Sequence, residues 1–163
     1  MKQERIYLAG PYSHSDSKVR SERLINLTVA AGLLMKQEHL VFSPISHSGL
    51  IVELVRDLPA EPDFWLRQCD TYLEHWSTLL LVLPIQGADE SIGVRHEIDK
   101  AKSLNIPILF GTALEKAVRD YRAGFNKERG FQGWEELMSR NLLDGLCLMP
   151  ENGVYVKKKS AYE

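Results

Sequence analysis

The 163-residue chain has little cysteine, no excess of positive charge and no long apolar run, and each shortage removes a class of function. Its two cysteines are Cys69, in a helical pattern, and Cys147, in an apolar run; neither has the spacing of a metal centre, and isolated thiols fit a reduced, cytoplasmic setting. The net charge is −2 and the pI about 6.2, so the cationic surface that neutralises a nucleic-acid backbone is missing and polymeric DNA or RNA is not an expected partner. Apolar runs fall far short of the roughly 20 residues of a membrane span. Residues Met1 to Arg5 lead straight into a strand pattern, so neither a signal peptide nor a membrane partner is expected. A Gly-rich P-loop, a metal-ligand cluster, a Ser/His/Asp constellation and an internal repeat are also lacking.

What remains is alternation. Ile6-Tyr7-Leu8-Ala9 reads as a buried strand closed by Gly10-Pro11, and Leu24, Leu27, Ala31, Leu34 and Met35 mark an amphipathic helix from about residue 17 to 38. Leu40-Val41-Phe42 is a second strand, followed by a polar segment from Ile45 to Gly49 and a helix from about residue 50 to 57. A helical band over 62–76 carries Trp65, Cys69, Tyr72, Leu73 and Trp76, with Asp70 beside it. Residues 78–83 form the clearest buried strand; a helix to about Leu104 and a strand over 106–110 follow. Strands alternating with helices predict an α/β fold: a doubly wound, mainly parallel sheet of the flavodoxin or Rossmann type, with its ligand crevice at the carboxyl ends of the strands. The organisation expected is a domain over 1–110 and a small α+β extension over 111–163, with a helix over 113–122, a Gly-rich loop over 123–133, a short helix over 134–138 and a hairpin turn at Glu151-Asn152-Gly153.

The stretch from Ser91 to Ile98 carries the strongest chemical signal. Ser91 is a good N-cap, and the free N–H groups behind it favour an anion. Glu97 shares a helix face with Gly93 and Ala101, small neighbours that leave room over its carboxylate, while Val94, Ile98 and Ala101 form a stripe to fix the helix on a sheet. The set Ile6-Tyr7-Leu8-Ala9-Gly10-Pro11, Asp70 ahead of the central strand, and Ser91-x-Gly93-x-x-x-Glu97 resembles the nucleoside 2-deoxyribosyltransferase superfamily, over about residues 5 to 110. That superfamily also holds nucleoside 5′-monophosphate N-glycosidases.

The resemblance implies roles. Glu97 would attack the anomeric carbon of the sugar and form a glycosyl-enzyme, Asp70 would protonate or orient the leaving base, and Tyr7 would hydrogen-bond the nucleophile. A helix N-terminus is expected to lower the pKa of Glu97 and keep it ionised. Six residues before the nucleophile, exchangers of free nucleosides typically carry an aspartate, whereas the monophosphate hydrolases carry a serine, as Ser91 is here. A hydroxyl at a helix start accepts a phosphate that an aspartate would repel. The expected function is therefore hydrolysis of the base–sugar bond of a nucleoside 5′-monophosphate, 2′-deoxy by preference. Asp89 and Glu90 lie just upstream, and a one-step shift of alignment would restore a carboxylate, which leaves base exchange on nucleosides open; a non-catalytic nucleotide sensor is the third reading. Gly10, Pro11, Ser13 and His14 are candidates for the phosphate pocket, with Arg95 a further one, and His47 for the sugar or base. Phe64 and Trp65 are candidates to sandwich the base, although aromatics at this spacing also suit a core. No cofactor and no metal are expected, and the resemblance implies a homodimer or larger assembly.

Overall fold

In a computed structural model, residues 3–129 apart from residue 56 are described, and they form a four-stranded, all-parallel sheet with five helices. In chain order the elements are β1 (Arg5–Ala9), α1 (Ser17–Lys36), β2 (Leu40–Phe42), α2 (Pro44–Leu54), α3 (Pro62–His75), β3 (Leu79–Val82), α4 (Ile92–Ser103), β4 (Ile108–Phe110) and α5 (Thr112–Arg129). The strand order is β2-β1-β3-β4, so the chain winds outward both ways from β1 and β3, the doubly wound arrangement expected. Tyr7 lies between Phe42 of β2 and Leu80 of β3, in the most protected position the sheet offers.

The two-residue period of the central strands divides the core. Ile6, Leu8, Leu81 and Leu83 point to one face, where Leu27, Ala30, Ala31 and Leu34 of α1 and Val118 of α5 cover them. Tyr7, Ala9, Leu80 and Val82 point to the other, against Leu73 of α3 and Val94 and Ala101 of α4. Every side chain on β1 from Ile6 onward is therefore buried, and the one polar atom among them, the Tyr7 hydroxyl, needs a partner. The loops after β1, β2 and β3 emerge at one rim, as the parallel order requires.

Two boundaries differ from the sequence pattern. The polar segment after β2 is no loop: Ser43 Oγ accepts the Ser46 N–H, Pro44 sits at the first helical position, and α2 begins there, placing His47 on a helix. Helix α5 runs on to Arg129 through the stretch read as a Gly-rich loop. It is bound to α1 by Arg122, which reaches Asn26 Oδ1 at 2.6 Å and Glu22 at 2.8 Å, so tertiary contact outweighs the low helix propensity of Gly124. The helix expected over 134–138 and the turn at 151–153 lie outside the described residues, as does Cys147.

Helices α1 and α4 end alike. Glu38 and Asn105 adopt left-handed backbone (φ 65° and 54°), and the paired bonds of a Schellman motif follow, His39 N–H to Leu34 O and Glu38 N–H to Met35 O in the first, Ile106 N–H to Ala101 O and Asn105 N–H to Lys102 O in the second. Asparagine tolerates this conformation; glutamate does so at a cost. Glu38→Gly is expected to stabilise the fold by about 1 kcal/mol, read as a higher Tm in thermal unfolding.

Candidate active site

Tyr7 Oη donates to Glu97 Oε1 at 2.7 Å, a buried bond joining residues 90 apart in sequence. Glu97 is 7 % exposed, and with Ser43 it makes up the buried polar residues among those described. Burial pushes its carboxyl up to about 7; the bond from Tyr7 pulls downward, and the nearby Asp70 charge raises it further. This corrects the expectation of a lowered pKa. Glu97 is the sixth residue past the Ser91 cap, beyond the first turn where the helix dipole acts, and loss of water dominates. Tyr7 is itself held well above its ordinary value, by burial first and then by Glu97, so its hydroxyl stays a donor.

The small-neighbour face of α4 is as expected. Ala101 is buried, and a Cβ built on Gly93 meets only Ser91 Oγ, at 3.9 Å, so the space there is open. Ser91 Oγ accepts the Val94 N–H at 3.3 Å, which leaves its own proton for donation and leaves the amides of Ile92 and Gly93 without an intrahelical carbonyl.

Asp70 faces α4 from α3. Its Oδ1 lies 2.9 Å from His96 Nε2, and its Oδ2 lies 3.8 Å from Lys100 Nζ, which is in closer contact with Glu74. One turn of each helix thus joins Asp70, His96, Lys100 and Glu74 beside the buried Glu97. The sequence reading gave His96 no role, and its signal would have been the spacing of His96 and Lys100, four apart on α4 and matching Asp70 and Glu74 on α3.

On the far side of Asp70 and Cys69 an aromatic cleft of about 180 Å³ opens, lined by Phe42, His47, Phe64, Trp65, Cys69 and Tyr72 among others. Phe42 and Tyr72 stack at 3.6 Å, and the His47 ring tilts over Phe42 at 5.6 Å. Phe64 and Trp65 do not form the expected sandwich: their planes are perpendicular at 5.0 Å, and Trp65 Nε1 is tied to Pro59 O. Perpendicular faces cannot grip a flat ring between them. Burial lifts the Cys69 thiol to about 11, so it stands between cleft and Tyr7 as a neutral group.

The remaining candidates separate. Ser13 and His14 lie in the β1–α1 loop, where His14 Nδ1 accepts the Asp16 N–H and Asp16 caps α1 through Lys18 N–H, the capping geometry of an ordinary helix entry. This loop is anchored by Arg23, unmarked in the sequence reading, whose Nη1 donates to Ser13 O at 2.7 Å and whose Nη2 donates to Gln86 O at 3.2 Å. The guanidinium thereby ties the loop holding Ser13 to the one leading into Ser91. Gly87 beside it has φ +90°, and a Cβ there would collide with Arg23 Nη2. Gly10 and Pro11 are buried, Gly10 against Leu27, and shape the turn without offering a side chain to a ligand. Arg95 is not brought to Glu97. It lines a separate cleft of about 260 Å³ with Asp89, Val94, Ile98 and Phe110, and its Nη2 donates to Glu90 O at 3.3 Å.

A family model described as a domain of unknown function, DUF1937, matches residues 4–111, about two thirds of the chain, and contains Tyr7, Asp70, Ser91, His96 and Glu97. The chain belongs to the DUF1937 family. No curated protein matches it. The match ends where this DUF1937 domain passes from β4 into α5, a helix that nonetheless places Val118 in the same core. Among the described residues there is no cluster of His, Cys, Asp and Glu able to hold a metal ion, and no helix long and apolar enough to cross a membrane.

A carboxyl whose pKa rises on folding binds its proton more tightly in the native state. Folding is then favoured most below the unfolded value near 4.5, and that advantage is lost as pH rises through about 7. Glu97→Gln keeps an acceptor for Tyr7 and removes the charge. It is expected to be more stable than wild type at pH 8, by on the order of 3 kcal/mol at most, with the gap in Tm shrinking toward pH 5.

Proposed function

We propose that this protein is an N-glycosidase that hydrolyses the base–sugar bond of a nucleoside 5′-monophosphate, by preference a 2′-deoxyribonucleotide. The observation that carries this reading is the buried Tyr7–Glu97 bond, with Glu97 on the α4 face it shares with Gly93, where a side chain would meet open space. A desolvated carboxylate positioned by a neutral donor suits attack on an anomeric carbon and stabilises the cationic sugar that forms as the base departs. Asp70 lies close enough to act on Glu97 electrostatically but remains partly exposed, so the two acids occupy the unlike environments that a nucleophile and a proton carrier require.

The chemistry runs in two steps. An oxygen of Glu97 bonds to the anomeric carbon as the C–N bond breaks, and the electron pair leaves with the base nitrogen, which takes a proton from Asp70. Water then attacks the same carbon, the pair of the Glu97–carbon bond returns to the carboxylate, and the sugar 5-phosphate is released. The Ser91 hydroxyl and the α4 amides supply donors for the phosphate, with the Arg23-anchored loop of Ser13 and His14 alongside. Asp89 supports a hydrolase over a base exchanger: it lines the far cleft with Arg95, which leaves Ser91 as the helix-start side chain.

Chromatographic detection of free base from a panel of nucleosides and their 5′-monophosphates, with and without a competing base, tests this reading. Release from monophosphates alone is expected, lost at least 10³-fold in Glu97→Ala. In wild type, kcat/KM is expected to rise as pH passes through about 7 and Glu97 loses its proton. Base exchange on unphosphorylated nucleosides would move the assignment to transferase, and nucleotide binding without turnover to a sensor. Gly93→Ala should leave Tm unchanged or higher while lowering kcat/KM about tenfold, because its methyl occupies space open in the protein and needed by the ligand.

A further inference from the structure

Protonating a departing base requires Asp70 to acquire a proton near neutral pH and recover it each turnover. The titratable and charged groups around it are Cys69 and Glu74 on α3, Tyr7 on β1, and His96, Glu97 and Lys100 on α4. Most are unsuited to supplying that proton. Tyr7 and Cys69 hold theirs too tightly, and Glu97 must be ionised to attack. Lys100 is 3.8 Å away, beyond hydrogen-bond reach, and its contact with Glu74 holds its ammonium above the ordinary value. His96 alone combines a hydrogen bond to Asp70, 2.9 Å from Nε2 to Oδ1, with a ring that ordinarily exchanges its proton near neutrality. It is also partly open to solvent, with 35 % of its side chain exposed.

We propose that His96 is a positioning residue that holds Asp70 for the leaving base and serves as its proton reservoir. This rests on the glycosidase reading above. As the C–N bond breaks, Asp70 gives its proton to the base nitrogen and takes one from the His96 imidazolium through Nε2, leaving a neutral ring. In the second step the attacking water forms its bond to the anomeric carbon, and its surplus proton passes through Asp70 to Nε2. The imidazolium is restored, and no other acid is consumed. Lys100, held by Glu74, stands 3.8 Å from the second oxygen of Asp70 as a fixed positive charge.

The test is a pH profile of kcat and KM for wild type, His96→Gln and His96→Asn on two substrates: the natural monophosphate, and a 4-nitrophenyl sugar 5-phosphate whose phenolate departs without a proton. Glutamine keeps a donor near the Nε2 position but cannot titrate. On the natural substrate His96→Gln should lose at least tenfold in kcat with KM within threefold, and the alkaline limb should move to lower pH; on the nitrophenyl substrate the loss should be under threefold. An unchanged profile, or an equal loss on both substrates, overturns the role of His96, the second outcome marking a structural part only. His96→Asn serves if the glutamine variant fails to fold, with the same expectations. Wild type that releases no base from any monophosphate overturns the glycosidase reading itself, an outcome distinct from an active wild type with an indifferent His96 variant.

Discussion

The structure is organised around a carboxylate kept out of water. Glu97 is held under the Tyr7 hydroxyl, and Tyr7 is held by a strand hydrogen-bonded on both sides, so neither partner can be displaced without disturbing the centre of the sheet. Removing a carboxylate from water is costly, and the raised pKa of Glu97 records that cost. The apolar face of Leu73, Leu80, Val82, Val94 and Ala101 offsets it and keeps water out. Stability is therefore supplied by the same layer that makes the acid unusual. A fold free to place its acids at the surface would gain stability and lose the one group with a distinctive electrostatic state.

Local signals in the sequence were sufficient for the strands, their parallel order and the start of α4. Alternating burial in Ile6 to Ala9 and the apolar block before Pro84 arise from neighbours along the chain, and so does Ser91 as a cap. The Tyr7–Glu97 contact was legible only through the resemblance, since nothing local relates residues 90 apart. What was misread depended on tertiary context. The electrostatics of Glu97 turned on burial rather than on the helix start; α2 began at a Ser-Pro pair whose capping role the polar composition concealed; α5 continued because Arg122 and Val118 hold it to its neighbours. Arg23 went unmarked, and the role of His96 stayed open, for a similar reason. A cation on an amphipathic helix looks solvated until the carbonyls or carboxylate it meets are known.

Helix α4 also acts as a divider. On one side lie Glu97, His96 and the open space at Gly93, and on the other Arg95 and Asp89 in an apolar cleft at the ends of β3 and β4. A single turn thus sends the adjacent residues Arg95, His96 and Glu97 to different surroundings. The separation has an electrostatic consequence. A guanidinium beside Glu97 would favour its ionised form and lower its pKa, undoing the effect of burial. With Arg95 across the helix, Glu97 is influenced chiefly by loss of water, by Tyr7 and by Asp70.

Glycosidic cleavage asks two nearby acids for opposite states, one without its proton and one with it. Their mutual repulsion already favours a single shared negative charge, and the surroundings decide where it lies. Burial alone would place the proton on Glu97, the residue proposed as the nucleophile. Tyr7 opposes this by donating to Glu97, which favours its ionised form. The balance holds the Glu97 carboxyl up at about 7. On the glycosidase proposal, positive charge developing at an anomeric carbon beside its oxygens favours the ionised form. Under that proposal the carboxylate attacks already ionised, and its attraction for the sugar is stronger in the transition state than in the bound nucleotide, so the electrostatic gain falls on the bond-breaking step.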